Sequence, residues 1–313
     1  MPKLSAIVCV FNEEENVKPL IASIFSALKD IDFELIYVDD GSSDGTVKEV
    51  KGFQDERVHL IELKKNYGQS TALSAGIDYA SGEYLVLLDG DLQNDPTDIP
   101  GMLALAEANE WDLVAGVRAN RKDGMFLRKI PSKIANSIIR KTTGVKIRDY
   151  GCTLKLFKAD IAKKMGLYGE LHRFIPVLAA LEGARITQMD VKHHPRIHGQ
   201  SKYGLGRTFK VISDLILMVF FNKYMQKPMH LFAGSGFALF AIGAIIELYL
   251  FVLKLMGQDI WGKPLLILGT ILIIAGIQLI TVGIVVEMQV RTYYESQNKK
   301  PYNIKRIWKG NKA

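Results

Sequence analysis

The chain has 313 residues, 48% of them hydrophobic and 23% charged, with a formal net charge of +7. That size and mix suit one large globular domain with an appendage that carries some membrane. Two cysteines in no ligand spacing exclude a disulfide framework and a thiolate zinc site, and the basic excess sits beside two apolar runs, where anionic lipid accounts for it without nucleic acid.

Through the first 116 residues short β-rich runs alternate with helical stretches, which reads as βαβ units feeding a mostly parallel sheet. Strands are expected near residues 6–10, 34–39, 58–63, 84–88 and 113–115. Helices are expected over 17–28, 46–53, 70–80 and 99–109, with Ser, Asp or Gly at their entrances. The apolar run at 4–10 is too short for a secretory signal and leads straight into Asn12-Glu13-Glu14-Glu15. From 118 to 203 the pattern loosens into amphipathic helices, with strands near 153–157 and 186–193. Residues 205–224 mix Phe209, Ile212, Leu215 and Phe220 with Arg207, Lys210 and Lys223, which suits a helix lying in a membrane interface.

Two apolar runs follow. Residues 231–253 carry one charge, Glu247, and 264–286 carry none; each reaches the roughly 20 residues that cross ~30 Å of hydrocarbon. In the first run the apolar side chains contribute about −4 to −8 kcal/mol to insertion against roughly +3 for a central carboxylate, so a bilayer segment is expected. Glu247 then needs a partner: a helix contact, an oligomer interface or a lipid headgroup, with Gly236, Gly243 and Ala244 small enough to admit a close helix. The short connection 254–263 allows only a hairpin, so the amino-terminal part and the tail from Arg291 share one side. Seven basic residues against Glu295 in that tail mark the side as cytoplasmic. The expected plan is a soluble domain at 1–203, an interface segment at 204–229, the hairpin at 230–290 and a basic tail at 291–313 of an inner or plasma membrane protein.

In an open α/β sheet, ligands collect beyond the carboxyl ends of strands. Three polar clusters fall at such ends: Asn12-Glu13, Asp39-Asp40-Gly41-Ser42-Ser43-Asp44, and Asp89-Gly90-Asp91 with Gln93. Two carboxylates and an amide oxygen form the hard donor set that Mg²⁺ or Mn²⁺ prefers, and such an ion usually handles a diphosphate. Taken alone, the acidic cluster reads equally as a solvated Asp-Gly turn, and Asp40 to Gly45 as a helix-capping turn. Three adjacent histidines, His193, His194 and His198, have loop-like spacing and no cysteine, which argues against zinc.

Together, Phe11-Asn12-Glu13, Val38-Asp39-Asp40-Gly41-Ser42-Ser43-Asp44-Gly45-Thr46 and Asp89-Gly90-Asp91-Leu92-Gln93 resemble the family 2 glycosyltransferases of GT-A fold. Within these, residues 4–203 resemble the polyprenyl-phosphate sugar transferases, such as dolichol-phosphate mannose synthase and bactoprenol glucosyltransferase. The resemblance implies an α/β, Rossmann-like GT-A domain with interface helices and a two-helix transmembrane hairpin. It implies inverting transfer of one hexose from a nucleotide diphosphate sugar to polyprenyl phosphate on the cytoplasmic leaflet. UDP-glucose is favoured over GDP-mannose, because two terminal spans match the bactoprenol branch.

By the same resemblance Asp39 accepts from the nucleobase imide, the backbone at Phe11 and Glu13 flanks base and ribose, and Asp40 and Arg118 belong with the donor-binding residues. Asp89, Asp91 and Gln93 hold Mn²⁺ or Mg²⁺, and Asp91 thereby counts as catalytic. Arg128 and Ser132, around Pro131, are assigned to the lipid phosphate, either one helical turn apart on one face or flanking a helix start. Arg196 and Lys202, in Arg196-Ile197-His198-Gly199-Gln200-Ser201-Lys202, close over the diphosphate. Asp149 either positions the acceptor phosphate, takes its last proton, or caps a strand entry. Two rivals follow: a polysaccharide synthase, for which a Q-x-x-R-W segment and further spans are missing, and a non-enzymatic membrane scaffold that kept the fold. A homo-oligomer is compatible with Glu247, and no nucleic-acid partner is expected.

Overall fold

The computed structural model describes residues 1–118, 140, 144–167, 171–195, 220, 224 and 228–296. The chain divides into two compact units, Met1–Met218 and Val219–Ala313.

The first unit is built on a seven-stranded sheet. Strands β1 (Leu4–Val10), β2 (Phe33–Asp39), β3 (Val58–Glu62), β4 (Tyr84–Asp89), β5 (Leu113–Arg118), β6 (Lys155–Lys158) and β7 (Ile186–Val191) lie in the spatial order β3-β2-β1-β4-β6-β5-β7. β1 pairs parallel with β2 and β4, β2 with β3, and β5 with β7, while β6 runs antiparallel between β4 and β5. The chain thus builds outward from β1 to β3, then crosses back to lay β4 on the other side of β1. That reversal opens a crevice at the carboxyl end of β1.

Strands buried on both faces read as continuous apolar runs, and β1, β2 and β4 are such runs. Leu4, Ala6, Val8 and Val10 of β1 face a core that includes Val17, Leu20, Ile21 and Ile24 of α1 (Glu14–Ala27) and Ile99, Met102, Leu103 and Ala106 of α4 (Ile99–Ala108). On the opposite face Ile7 and Val38 press against Gly76 of α3 (Gln69–Tyr79), where an added Cβ would fall 2.5 Å from Ile7 Cγ2. The short α2 (Thr46–Lys51), α5 (Ala159–Ala162) and α6 (Ile175–Leu181) complete the described helices of this unit, with 3₁₀ turns at Pro96–Asp98 and Leu171–Arg173.

α1 begins three residues before the expected start, at Glu14. The Asp44 carboxylate, thirty residues away in the next loop, accepts from the Glu14 amide at 3.3 Å and supplies a cap that local sequence does not reveal.

The second unit is a helical hairpin of α7 (Pro228–Leu255) and α8 (Pro264–Ser296); α7 extends past the expected apolar run at both ends, whereas α8 starts at the expected residue and extends past its far end. Both helices are long and apolar enough to cross a membrane, and only 17% and 11% of their most apolar windows are buried, which a core helix of a soluble protein would not tolerate. What is buried is a glycine seam. A Cβ on Gly236 or Gly243 would lie 2.7 Å from the Gly276 or Gly269 carbonyl oxygen, so the two backbones touch and Gly236 and Gly243 are used inside the hairpin. Glu247 meets Thr270 Oγ1 at 3.1 Å across the same seam, which makes it a helix contact. Most of the expected interface segment 204–229, and the tail beyond residue 296, lie outside the described residues.

Candidate active site

The crevice is built from strand ends in register. Val10 pairs with Asp39 and Cys9 with Asp89, so the ends of β2 and β4 flank that of β1. The loop after β1 is stitched to the loop after β2. Asn12 holds a left-handed φ of 54°, its amide donates to Ser42 Oγ at 2.9 Å, and its side-chain oxygen accepts from the Ser43 amide at 2.8 Å. The Glu13 amide donates to Thr46 Oγ1 at 2.9 Å, which fixes the backbone from Phe11 to Glu13.

Asp39 is 3% exposed and accepts from the amides of Gly41 and Ser42 at 3.2 and 3.0 Å. Two amides use part of a carboxylate's capacity of about four acceptor directions, so an imide N–H remains compatible with it. Asp40 works differently. Its oxygens accept from the Tyr67 and Gly68 amides at 2.7 and 2.9 Å, docking the loop before α3. Gly41 sits where that loop crosses, at φ 77°, and a Cβ there would meet the Lys65 carbonyl carbon at 2.6 Å.

At the end of β4, Asp89 Oδ1 accepts from Gln69 Nε2 at 2.8 Å and the Thr153 hydroxyl also hydrogen-bonds the carboxylate. Gly90 is required for packing, since a Cβ would lie 2.5 Å from Val10 Cγ1. Asp91 is 6% exposed, and its Oδ1 accepts from the Gln93 amide at 3.2 Å. Asp89 keeps some solvent access yet is closely surrounded by protein; desolvation, then the charge of Asp91, push its carboxyl up to about 6. The Asp91 charge that raises the proton affinity of Asp89 is one that a cation offsets.

Gln93 is clamped to the strand extension after β7. The His194 amide donates to the Gln93 carbonyl at 2.9 Å and Gln93 Nε2 to the His194 carbonyl at 3.4 Å, which assigns the other side of the amide as oxygen. Asp95 pairs with His194 Nε2 at 3.1 Å and with Lys192 Nζ at 3.7 Å. Among the described residues no group of three or more His, Cys, Asp or Glu side chains is arranged to hold a metal. Two carboxylates and an amide oxygen are hard donors of the kind Mg²⁺ takes, an ion that needs only one or two carboxylates and completes its shell from water and substrate phosphate.

Arg118, the last residue of β5, and Asp149 form a bidentate pair, Nε to Oδ2 at 2.7 Å and Nη2 to Oδ1 at 2.9 Å. Burial opposes the Asp149 charge, but the Arg118 hydrogen bonds more than offset it and hold the carboxyl below the usual range. So held, Asp149 is a weak proton acceptor and a strong brace for Arg118. Arg128, Ser132, Arg196 and Lys202 lie outside the described residues.

Sequence reading passed over several participants. Gln69 and Thr153 bond Asp89, and Lys155, 1% exposed on β6, gives its ammonium to the Cys152 carbonyl. Ser70 and His172 pair at 2.9 Å across 102 residues of sequence. Only the basic doublet His172-Arg173, set against the apolar run from Phe174, was available as a signal.

Residues 5–166 match the family described as Glycosyl transferase family 2. Across its length the chain is similar to a dodecaprenyl-phosphate galacturonate synthase of Rhizobium johnstonii, 46% identical over 314 residues that cover 98% of this chain and 93% of that protein. It is also similar to an undecaprenyl-phosphate 4-deoxy-4-formamido-L-arabinose transferase of Proteus mirabilis, 33% identical and covering 97% and 94% of the two chains. Among solved structures, a glucosyl-3-phosphoglycerate synthase from Mycobacterium tuberculosis, in complex with Mn²⁺, UDP and glucosyl-3-phosphoglycerate, superposes with a TM-score of 0.54 at 17% identity, over 70% of this chain and 79% of that one. S. aureus TarS 1–349, in complex with UDP-GlcNAc, gives 0.52 at 17% identity, over 71% and 67%. At such identities these structures speak for the shared GT-A fold.

Proposed function

Because the chain belongs to glycosyl transferase family 2, we propose that it is a membrane-embedded glycosyltransferase that moves one sugar from a nucleoside diphosphate donor to a polyprenyl phosphate. The observation that carries this reading is similarity along nearly the whole chain, hairpin included, to two relatives whose names share a polyprenyl-phosphate substrate. The expectation of glucose drew on the hairpin alone. Relatives of matching length are named for galacturonate and for 4-deoxy-4-formamido-L-arabinose, so a hairpin does not select glucose or mannose. Galacturonate, from the relative at 46% identity, is the sugar we assign.

The donor's base lies at Asp39 between the loops of Phe11–Glu13 and Gly41–Thr46, and its diphosphate runs toward Asp89, Asp91 and Gln93. A divalent ion on those three residues, when bound, offsets the negative charge that grows on the leaving nucleoside diphosphate. An oxygen of the lipid phosphate attacks the anomeric carbon in line, the bond from that carbon to the donor phosphate breaks, and the configuration inverts. A phosphate monoester with a second pKa near ~6 is already largely ionised at neutral pH, so no strong base is needed. Asp149, paired as it is, serves by aiming Arg118. Arg128, Ser132, Arg196 and Lys202 are the further phosphate contacts we assign from sequence. Both chain ends and the site face the cytoplasm, the side to which the basic tail belongs.

The test is synthesis. Purified full-length protein in detergent, with Mn²⁺, polyprenyl phosphate and a panel of labelled UDP- and GDP-sugars, should label lipid from UDP-galacturonate and not from UDP-glucose or GDP-mannose. Binding of nucleotide sugar with no labelled lipid from any donor would return the chain to the scaffold reading.

A further inference from the structure

We propose that Ser70, His172 and Arg173 form a phosphate-binding corner of this site, with Arg173 touching the phosphate and His172 and Ser70 aiming it. The inference rests on the reading above and adds residues that neither the motifs nor the strand ends supplied.

Position comes first. The 3₁₀ turn Leu171–Arg173 packs on the first turn of α3, where Gln69 holds Asp89 at 2.8 Å and the next residue, Ser70, holds His172. One residue of helix therefore separates the contact with the metal-site carboxylate from the contact with the basic doublet. In the run from Leu171 to Ala179, His172 and Arg173 alone keep partial exposure while the others are buried.

Hydrogen-bond logic fixes the orientation. Arg173 Nε can only donate, and it lies 3.5 Å from His172 Nε2, so that nitrogen accepts. The ring proton then sits on Nδ1 and is given to Ser70 Oγ at 2.9 Å, and the same oxygen accepts the His172 amide at 3.1 Å. Both lone pairs of Ser70 are used by one residue, which leaves its hydroxyl proton to donate elsewhere. Burial, then the charges of Arg173 and Lys155, push the imidazole down to about 3, so it is a neutral strut and the cation of the corner is Arg173.

Charge points to the ligand. Arg173 stands in the turn that packs on α3 beside Gln69 and Asp89, where the reading above brings a diphosphate. A planar guanidinium suits the oxygens of a phosphate, which accept from it. The donor diphosphate and the lipid monophosphate share that chemistry.

Full-length Arg173→Gln, Arg173→Lys and His172→Asn are compared with wild type in detergent, varying donor and polyprenyl phosphate in turn. Arg173→Gln should raise KM for one substrate roughly 10- to 100-fold, the loss of a charged hydrogen bond. Arg173→Lys should recover part of it, and His172→Asn should weaken the same substrate and not the other. An acceptor-only shift with unchanged UDP affinity by calorimetry names the lipid phosphate; a donor shift with weakened UDP binding names the diphosphate. Both KM values and UDP affinity within about twofold of wild type in Arg173→Gln and Arg173→Lys, each with a wild-type melting point, overturn the proposal. A wild-type protein that makes no glycolipid would instead sink the transfer reaction itself.

Discussion

Replacing Asp149 with asparagine separates a brace from a base. The carboxylate and the Arg118 guanidinium are 15% and 12% exposed and share two short hydrogen bonds. Asparagine keeps the shape but removes the charge and turns one acceptor into a donor that faces another donor. Breaking a buried pair on one side costs about 3–5 kcal/mol; residual exposure argues for the lower end, about 3. For a domain of this size each kcal/mol moves the melting point by roughly 2–4 °C, so scanning calorimetry in detergent should find Asp149→Asn about 6–12 °C below wild type. Adding Arg118→Gln should restore part of that loss, since the pair is in direct contact. Asp149 is held below the ordinary carboxylate range, so its contribution is present above an unfolded pKa near ~3.9 and fades only as pH falls through its lower folded value. The variant's residual turnover should therefore keep the wild-type pH profile near neutrality. A melting point within about 2 °C of wild type, or loss of an acid limb of catalysis, would refute the brace and revive the base.

Asp91→Ala should abolish turnover while melting near wild type, which activity and calorimetry on one preparation can check. With Asp89 raised to about 6, protonation competes with a divalent ion below that pH. Turnover should fall on an acid limb near pH 6 that moves lower as Mn²⁺ is raised; a limb indifferent to metal would disconnect Asp89 from it. In the metal-free protein the sign for stability is the reverse of the usual aspartate: the folded state binds the extra proton, so acidifying from pH 7 toward 4 should raise the melting point as far as Asp89 is concerned. In the hairpin, Gly243→Ile would drive side-chain atoms into the Gly269 carbonyl, 2.7 Å from where Cβ begins. Cross-linking between cysteines placed along α7 and α8 should drop sharply in that variant and stay unchanged in Glu247→Gln.

What the sequence made legible was local. Apolar runs that stop at Asp39 and Asp89 announce strands and their carboxyl ends, and residue order alone brings three polar clusters to one edge. What it hid was long-range pairing. Nothing near Glu14 foretells a cap from Asp44, nothing near Arg118 foretells that Asp149 will occupy its guanidinium, and the Ser70 to His172 contact spans 102 residues. β6 was expected as a strand, but its antiparallel seat between β4 and β5 follows from pairing energetics that periodicity does not encode. That seat is what carries Thr153 to Asp89.

The glycines at the helix contact recur every seven residues, at 236 and 243 on α7 and at 269, 276 and 283 on α8. A seven-residue period keeps one face of each helix against its neighbour in a left-handed coil, backbone on backbone. Two helices in that kind of contact enclose no lumen between them.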